Sequence, residues 1–334
     1  MPLYNTLSAA QRAKLIDASG RARITVSFYQ YHRLEDPLAF RDALFEAWEK
    51  LDVLGRIYVA AEGINAQLSV PADRFQDFKA HLDSFPFLNG IRLNVAVEQN
   101  DKSFLKLKIK VRPRIVADGI EDPDFDASRT GVHLKAREFN AMIARPDAVL
   151  VDMRNHFESE IGRFQGALAP DVDTFRESLD IIAAELKGKE ERPLILYCTG
   201  GIRCEKASAW FKHQGFPGVY QLEGGIIEYL RQVKAENLEN RFQGKNFVFD
   251  ERMAERISDH VISTCHLCDT PCDTHRNCAS EACHILMIQC DACAERLDAC
   301  CSQACKTFAA LPAETRKALR KGTGAPKKYF KRPK

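Results

Sequence analysis

Apolar and polar residues alternate along the first hundred positions in two distinct periods. Residues 21–31 (RARITVSFYQY) follow the two-residue period of a half-buried strand, and residues 37–51 follow the helical period. Residues 56–70 (RIYVAAEGINAQLSV) predict a hairpin turning near Glu62-Gly63. Residues 71–85 predict a second helix with Pro in its first turn, and residues 91–97 another strand. Residues 106–116 add a last strand. Residues 112–130 (RPRIVADGIEDPDFDASRT) carry Pro and Asp but no period, which predicts a linker. Beyond it, helical patterns at 135–144, 174–187, 204–213 and 226–233 alternate with apolar runs at 148–153, 193–197 and 219–222. From about Asn240 the pattern is lost.

The first set of elements reads β-α-β-β-α-β, a ferredoxin-like α+β arrangement shared by many unrelated functions. Apolar strands alternating with helices predict instead an α/β unit, a parallel sheet covered on both faces. Ligands in such sheets bind beyond the carboxyl ends of the strands, which is where Cys198 falls. The expected division is residues 1–115, a linker at 116–133, an α/β domain at 134–238, a Cys-rich module at 239–310 and a basic tail at 311–334.

Composition sharpens this picture in three ways. The chain has 334 residues, 45% of them hydrophobic, enough to fill ordinary cores and exclude wholesale disorder. No apolar h-region opens the sequence and no run approaches a membrane span, so the expected compartment is the cytoplasm, with no membrane partner. Net charge is +2, yet residues 306–334 hold ten Lys/Arg against one acid, +9, leaving −7 on the rest. A basic tail on an acidic body points to an anionic partner, nucleic acid first, or to a solvated terminus.

The most informative stretch is Tyr197-Cys198-Thr199-Gly200-Gly201-Ile202-Arg203-Cys204. Adjacent glycines let a tight loop curl with its amides inward, and the following helix aims its positive end at the same spot. Arg203 adds a permanent cation. Together they depress the pKa expected of Cys198 and make it a nucleophilic thiolate; the alternative is a buried structural thiol.

Cys198-x-x-Gly201-x-Arg203 resembles the active-site loop of the rhodanese (sulfurtransferase) superfamily. Asp152-x-Arg154, followed by Gly162 to Ala167 (GRFQGA), resembles that superfamily's upstream segment. Related phosphatase loops place the Arg one residue further along, so this spacing favours sulfur chemistry. Cys204 stands where a Ser often follows; it either resolves an oxidised Cys198 or packs against the helix. Residues 55–66 (GRIYVAAEGINA), the loop at 198–208 (CTGGIRCEKAS) and Cys265-His-x-Cys-x-x-x-Cys272 occur in that order. The combination resembles the bacterial rhodanese-domain tRNA uridine hydroxylases. That resemblance implies oxygen-dependent conversion of the wobble uridine, position 34, to 5-hydroxyuridine. It also implies dioxygen as cosubstrate, the anticodon loop as partner and Cys198 at the essential position. The sequence shows no flavin or haem motif. A persulfide or sulfenic acid at Cys198 is one route consistent with an activated thiolate. The other readings are a sulfurtransferase working through a Cys198 persulfide, and a non-catalytic RNA-binding or redox-sensing adaptor.

Ten of the twelve Cys fall between 265 and 305. The C-x-x-C pairs Cys265/Cys268 and Cys290/Cys293 predict a four-thiolate site, structural zinc first, with iron–sulfur and disulfides as rivals. Cys272, Cys278, Cys283, Cys300, Cys301 and Cys305 leave ligands for a second ion. The tail Lys327-Lys328-Tyr329-Phe330-Lys331-Arg332 interleaves bases and aromatics, a pattern suited to phosphates and unpaired bases.

Overall fold

The computed structural model describes residues 7–122, 124–320 and 328–331. Helix α1 (Ala9–Ser19) opens the chain, capped by Ser8, whose hydroxyl and Gln11 side chain satisfy each other's backbone amides. Strand β1 (Arg23–Tyr31) leads to α2 (Pro37–Lys50), where Asp36 accepts from two amides of the first turn and Pro37 occupies its start. The hairpin β2 (Leu54–Ala60) and β3 (Gly63–Pro71) comes next, then α3 (Phe75–Asp83), β4 (Asn94–Val95) and β5 (Leu107–Val111).

The sheet order β4-β1-β3-β2 is the one expected of the β-α-β-β-α-β arrangement, and β5 extends it in parallel to β2. One face packs Val26, Phe28, Ile57 and Leu68 against Trp48 and Phe78 of α2 and α3. The other face carries polar and aromatic residues and looks towards the second domain.

The linker has no helix or strand before residue 132, but it is held tightly. Its Ile115 amide donates to Glu62, its Ile115 carbonyl accepts from Asn65, and Ile115 and Ile120 are buried. Its last residues form β6 (Val132–Leu134), the edge of a parallel sheet ordered β6-β10-β9-β7. The elements of this domain are α4 (Ala136–Ile143), β7 (Val149–Asp152), α5 (His156–Glu160), β8 (Gly162–Phe164), α6 (Phe175–Glu185), β9 (Leu194–Tyr197), α7 (Ile202–His213), β10 (Val219–Leu222) and α8 (Gly225–Glu236). Separate apolar clusters fill the two faces, around Phe211 on one and Tyr229 on the other, as a doubly covered sheet requires.

The pattern does not end at Asn240. Strand β11 (Phe242–Phe247) pairs with β8 and with β12 (Ala254–Arg256), stitching the Cys-rich module onto the α/β domain. Its polar Asn246 is fully buried. Gly244 faces Gly162 across the ladder, and a Cβ on Gly244 would stand 2.2 Å from the Ile161 carbonyl oxygen. Close backbone contact, not apolar alternation, builds this strand. The module continues with the short hairpin β13 (His275–Asn277) and β14 (Leu286–Ile288) and helices α9 (Asp291–Leu297), α10 (Gln303–Ala309) and α11 (Ala313–Arg320). No helix among the described residues is long and apolar enough to cross a membrane.

Candidate functional site

The Cys198 side chain emerges at the carboxyl end of β9 and is 1% exposed. Its sulfur accepts from the Gly201 amide at 3.2 Å. Burial alone raises a thiol pKa. Here the Cys204 side chain, the Arg203 charge and the amides of Arg203 and Cys204 outweigh it and bring Cys198 to about 6. Cys204 moves the other way: burial, its bond to Cys198 and the charge on Cys198 hold it well above the ordinary thiol range. It is therefore the thiol that donates, and Cys198 the one that ionises.

Arg203 lies mostly buried and forks onto both oxygens of Glu158, at 2.6 and 2.9 Å, from helix α5. Thr199 Oγ1 stands 3.5 Å from Arg203 and Glu158. Glu158, fully buried, thus shares the Arg203 charge with the loop. Nothing in the sequence singled it out, and its neighbours His156 and Glu160 carry no spacing signal either. Those two turn elsewhere: His156 faces Asp173 and the Phe330 carbonyl, and Glu160 pairs with His266 at 2.8 Å. Asp152 and Arg154 form a wholly buried pair beneath the sheet end, tied to Tyr197.

The N-terminal sheet closes over the loop. Tyr29 Oη donates to Glu205 at 2.9 Å, and Tyr31 Oη reaches the Ile202 carbonyl at 3.4 Å. Lys206 of α7 is 2% exposed and pairs with Glu62 at 2.6 Å and Asp118 at 3.0 Å, joining both domains and the linker. Gly201 has φ +101°, and a Cβ there would meet Tyr29 Oη at 2.7 Å. Glycine is required twice over, by conformation and by the approach of the other domain.

Between the sheet and the loop lies a cavity of about 620 Å³. Cys198, Thr199, Gly200, Ile202 and Arg203 line one side of it; Tyr29, Arg56, Tyr58, Asn65, Gln67 and Asn94 line the facing sheet. Asn94 Oδ1 is buried with no hydrogen-bond partner among the described residues. Among residues missed by sequence reasoning, these sheet residues form the largest group. Their signal was only the polar half of a strand alternation.

The cysteines of the C-terminal module gather into two groups. Cys265, Cys268, Cys290 and Cys293 bring their sulfurs within 4.8 Å of one another, and so do Cys278, Cys283, Cys301 and Cys305. Individual separations of 3.6 Å (Cys268–Cys290) and 3.7 Å (Cys283–Cys301) match the edge of a four-thiolate tetrahedron and are far too long for disulfides. The Cys290 amide donates to Cys265 Sγ at 3.4 Å and the Cys301 amide to Cys278 Sγ at 3.3 Å, an equivalent support in each group. The first group is the one the C-x-x-C spacing predicts. The pairs interleave: first with third, second with fourth. Cys272 and Cys300, included among the candidate ligands, belong to neither group; Cys272 packs beside Phe157 and Phe247, and Cys300 beside Cys278 and Met287.

The tail does not hang free where it is described. The Leu286 amide donates to the Lys328 carbonyl, and the Leu286 carbonyl accepts from the Phe330 amide. Tyr329 stacks on Phe157 at 4.2 Å, and Phe330 on His266 at 4.5 Å. Lys331 pairs with Asp171 and Asp173. One face of each ring is thus taken by one of the protein's own aromatics, while Tyr329 stays half-buried and lines the cavity. Lys328 lines the cavity, and Lys327 and Arg332 lie outside the described residues.

Three family models match the chain: a UPF0176 acylphosphatase like domain at residues 23–115, a rhodanese-like domain at 135–232 and a rhodanase C-terminal domain at 243–306. A protein of Escherichia fergusonii named tRNA uridine(34) hydroxylase is 52% identical over 98% of this chain and 94% of its own length. Proteins of the same name from an Enterobacter species and from Erwinia tasmaniensis are 51% and 52% identical over the same shares. Identity at this level across all three matched regions decides the question of kinship: the chain belongs to the tRNA uridine(34) hydroxylase family.

Proposed function

We propose that this protein hydroxylates uridine 34 of tRNA at C5, in the anticodon loop, with Cys198 as the reacting thiolate. The observation that carries the reading is similarity to tRNA uridine(34) hydroxylases along essentially the whole chain. An acidic thiol in a rhodanese-like loop alone would serve sulfurtransfer equally well. Dioxygen would supply the oxygen atom inserted at C5; its second atom leaves as water, with two electrons and two protons from an external reductant. The Gly201 amide, Cys204 and Arg203 support an anionic sulfur at Cys198 during that chemistry. The two thiolate groups suit structural zinc, which would fix the module that carries Val248 and Phe249 against the cavity.

The test is mass spectrometry of tRNA nucleosides from cells lacking the gene, complemented with wild type or Cys198→Ala. Nucleosides derived from 5-hydroxyuridine should vanish in the deletion and return only with wild type. Disappearance of a thiolated nucleoside instead would install sulfurtransfer, and rescue by Cys198→Ala would remove the cysteine from the mechanism.

A further inference from the structure

The cavity face of the N-terminal sheet is ordered in rows. Strand register sets Ser27, Gln67, Arg56 and Lys108 side by side across β1, β3, β2 and β5. The next row is Tyr29, Asn65, Tyr58 and Lys110. Each row starts beside the Cys198 loop, where Tyr29 bonds Glu205, and ends at the outer edge of the sheet. The first three members of both rows line the cavity that contains Cys198. A second cavity of about 730 Å³ shares Arg56 with the first and adds Lys106 and Lys108.

Among the described residues the cations at this edge have no acidic partner in an ion pair. Lys108 and Lys110 alternate with Leu107 and Ile109 along β5, and Lys106 and Arg112 flank the strand in the same phase, so the cations fall on the cavity face while Leu107 and Ile109 fill the core. With Arg56 they make five positive charges, none in an ion pair among the described residues. Lys108, Lys110, Arg112 and Arg56 are exposed. Arg112 sits over the Tyr58 ring. Two of the three acids at residues 250–255 are spoken for, since Asp250 and Glu255 both bind Arg252, while Glu251 lines the second cavity as a single exposed carboxylate against Arg56, Lys106 and Lys108. Lysines on an edge strand also guard against strand pairing. That role needs neither Arg56, which lies one strand inward, nor rows of amides and tyrosines leading to a reactive thiol.

We infer that this face is the RNA-binding track of the enzyme. The β5 cations and Arg56 hold phosphates of the strand flanking the target base, and the tyrosine and amide rows receive the unpaired nucleotides that lead to Cys198. The inference rests on the reading of the substrate as tRNA and names the surface that takes it. Positive charge positions the backbone, while rings and carboxamides meet the bases.

The experiment is a binding titration of the full-length protein with an unmodified tRNA transcript bearing U34, across a series of salt concentrations. Lys108→Glu/Lys110→Glu should weaken binding about tenfold and flatten the slope of log K against log salt by about 1.4–1.8, roughly two phosphate contacts. Lys108→Gln/Lys110→Gln should flatten the slope similarly with a smaller loss. In turnover, KM rises and kcat at saturating tRNA holds. Lys187→Glu/Lys189→Glu, an exposed pair beyond α6, should change neither quantity. Wild-type affinity and slope in both β5 variants would overturn the track, as would equal losses from the distant pair. If wild type binds tRNA but forms no 5-hydroxyuridine, the reaction assignment fails, and the binding data still decide the surface.

Discussion

At the scale of single residues, two neighbouring thiols are driven to opposite protonation states. Cys198 and Cys204 are both buried, yet one is pulled to about pH 6 and the other pushed up, because only one proton is needed between them. Alkylation of Cys198 should therefore rise through a midpoint near pH 6 and level off by neutrality, measured as peptide-resolved mass increase. Cys204→Ala removes the side chain that bonds Cys198 and stabilises its thiolate, and should shift that midpoint upward; an unmoved midpoint would take Cys204 out of the account. The depressed pKa also feeds stability: its contribution is full above about pH 9, where the unfolded thiol is also ionised, and is lost as pH falls through about 6. Cys198 and Arg203 were legible because they share one loop, with the glycines between them. Glu158 was not, because only the fold brings α5 to the far end of β9. A carboxylate in an ordinary capping pattern gives no hint that it will bind a guanidinium 45 positions away.

At the scale of elements, the loop is shaped by what presses on it. Gly201→Ala places a non-glycine residue at φ +101° and drives its Cβ towards Tyr29 Oη, 2.7 Å away. The conformational part should cost about 1–3 kcal/mol and lower the melting temperature. The same change tilts the amide that supports Cys198, so the alkylation midpoint should rise. Tyr29→Phe deletes the colliding oxygen. The double variant should regain part of the lost melting temperature, with the backbone cost remaining; no recovery would show that the contact across domains is not the constraint. Elements with strong periods, such as β1 and α2, were readable to within two residues, since burial of one face dictates their sequence. Strand β11 was not. Its Gly244, Lys245 and Asn246 satisfy a ladder and a buried polar site, so no hydrophobic signature was available.

At the scale of the molecule, three segments far apart in sequence meet around one cavity, and the Cys-rich module sets how they meet. Tyr329 stacks on Phe157, and Phe157 packs on Phe247 at 5.1 Å; Glu160 of α5 bonds His266 between Cys265 and Leu267. Four pairs of cysteines, alternating between two sites, cross-tie a segment whose own apolar content is small. Folding energy there should come mainly from metal. The purified protein should hold two zinc ions per chain by elemental analysis. Cys268→Ser should reduce the count to one, because its pairs close only one group. Cys272→Ser and Cys300→Ser should each retain both ions, since neither sulfur belongs to a group. Chelation should expose residues 243–306 to protease and release Tyr329 from Phe157, visible as a change in near-ultraviolet circular dichroism. A single ion in the wild type would refute the interleaved arrangement, and so would loss of an ion from Cys300→Ser. Retention of protease resistance after both ions are removed would instead show that the module stands on its hairpin and helices alone.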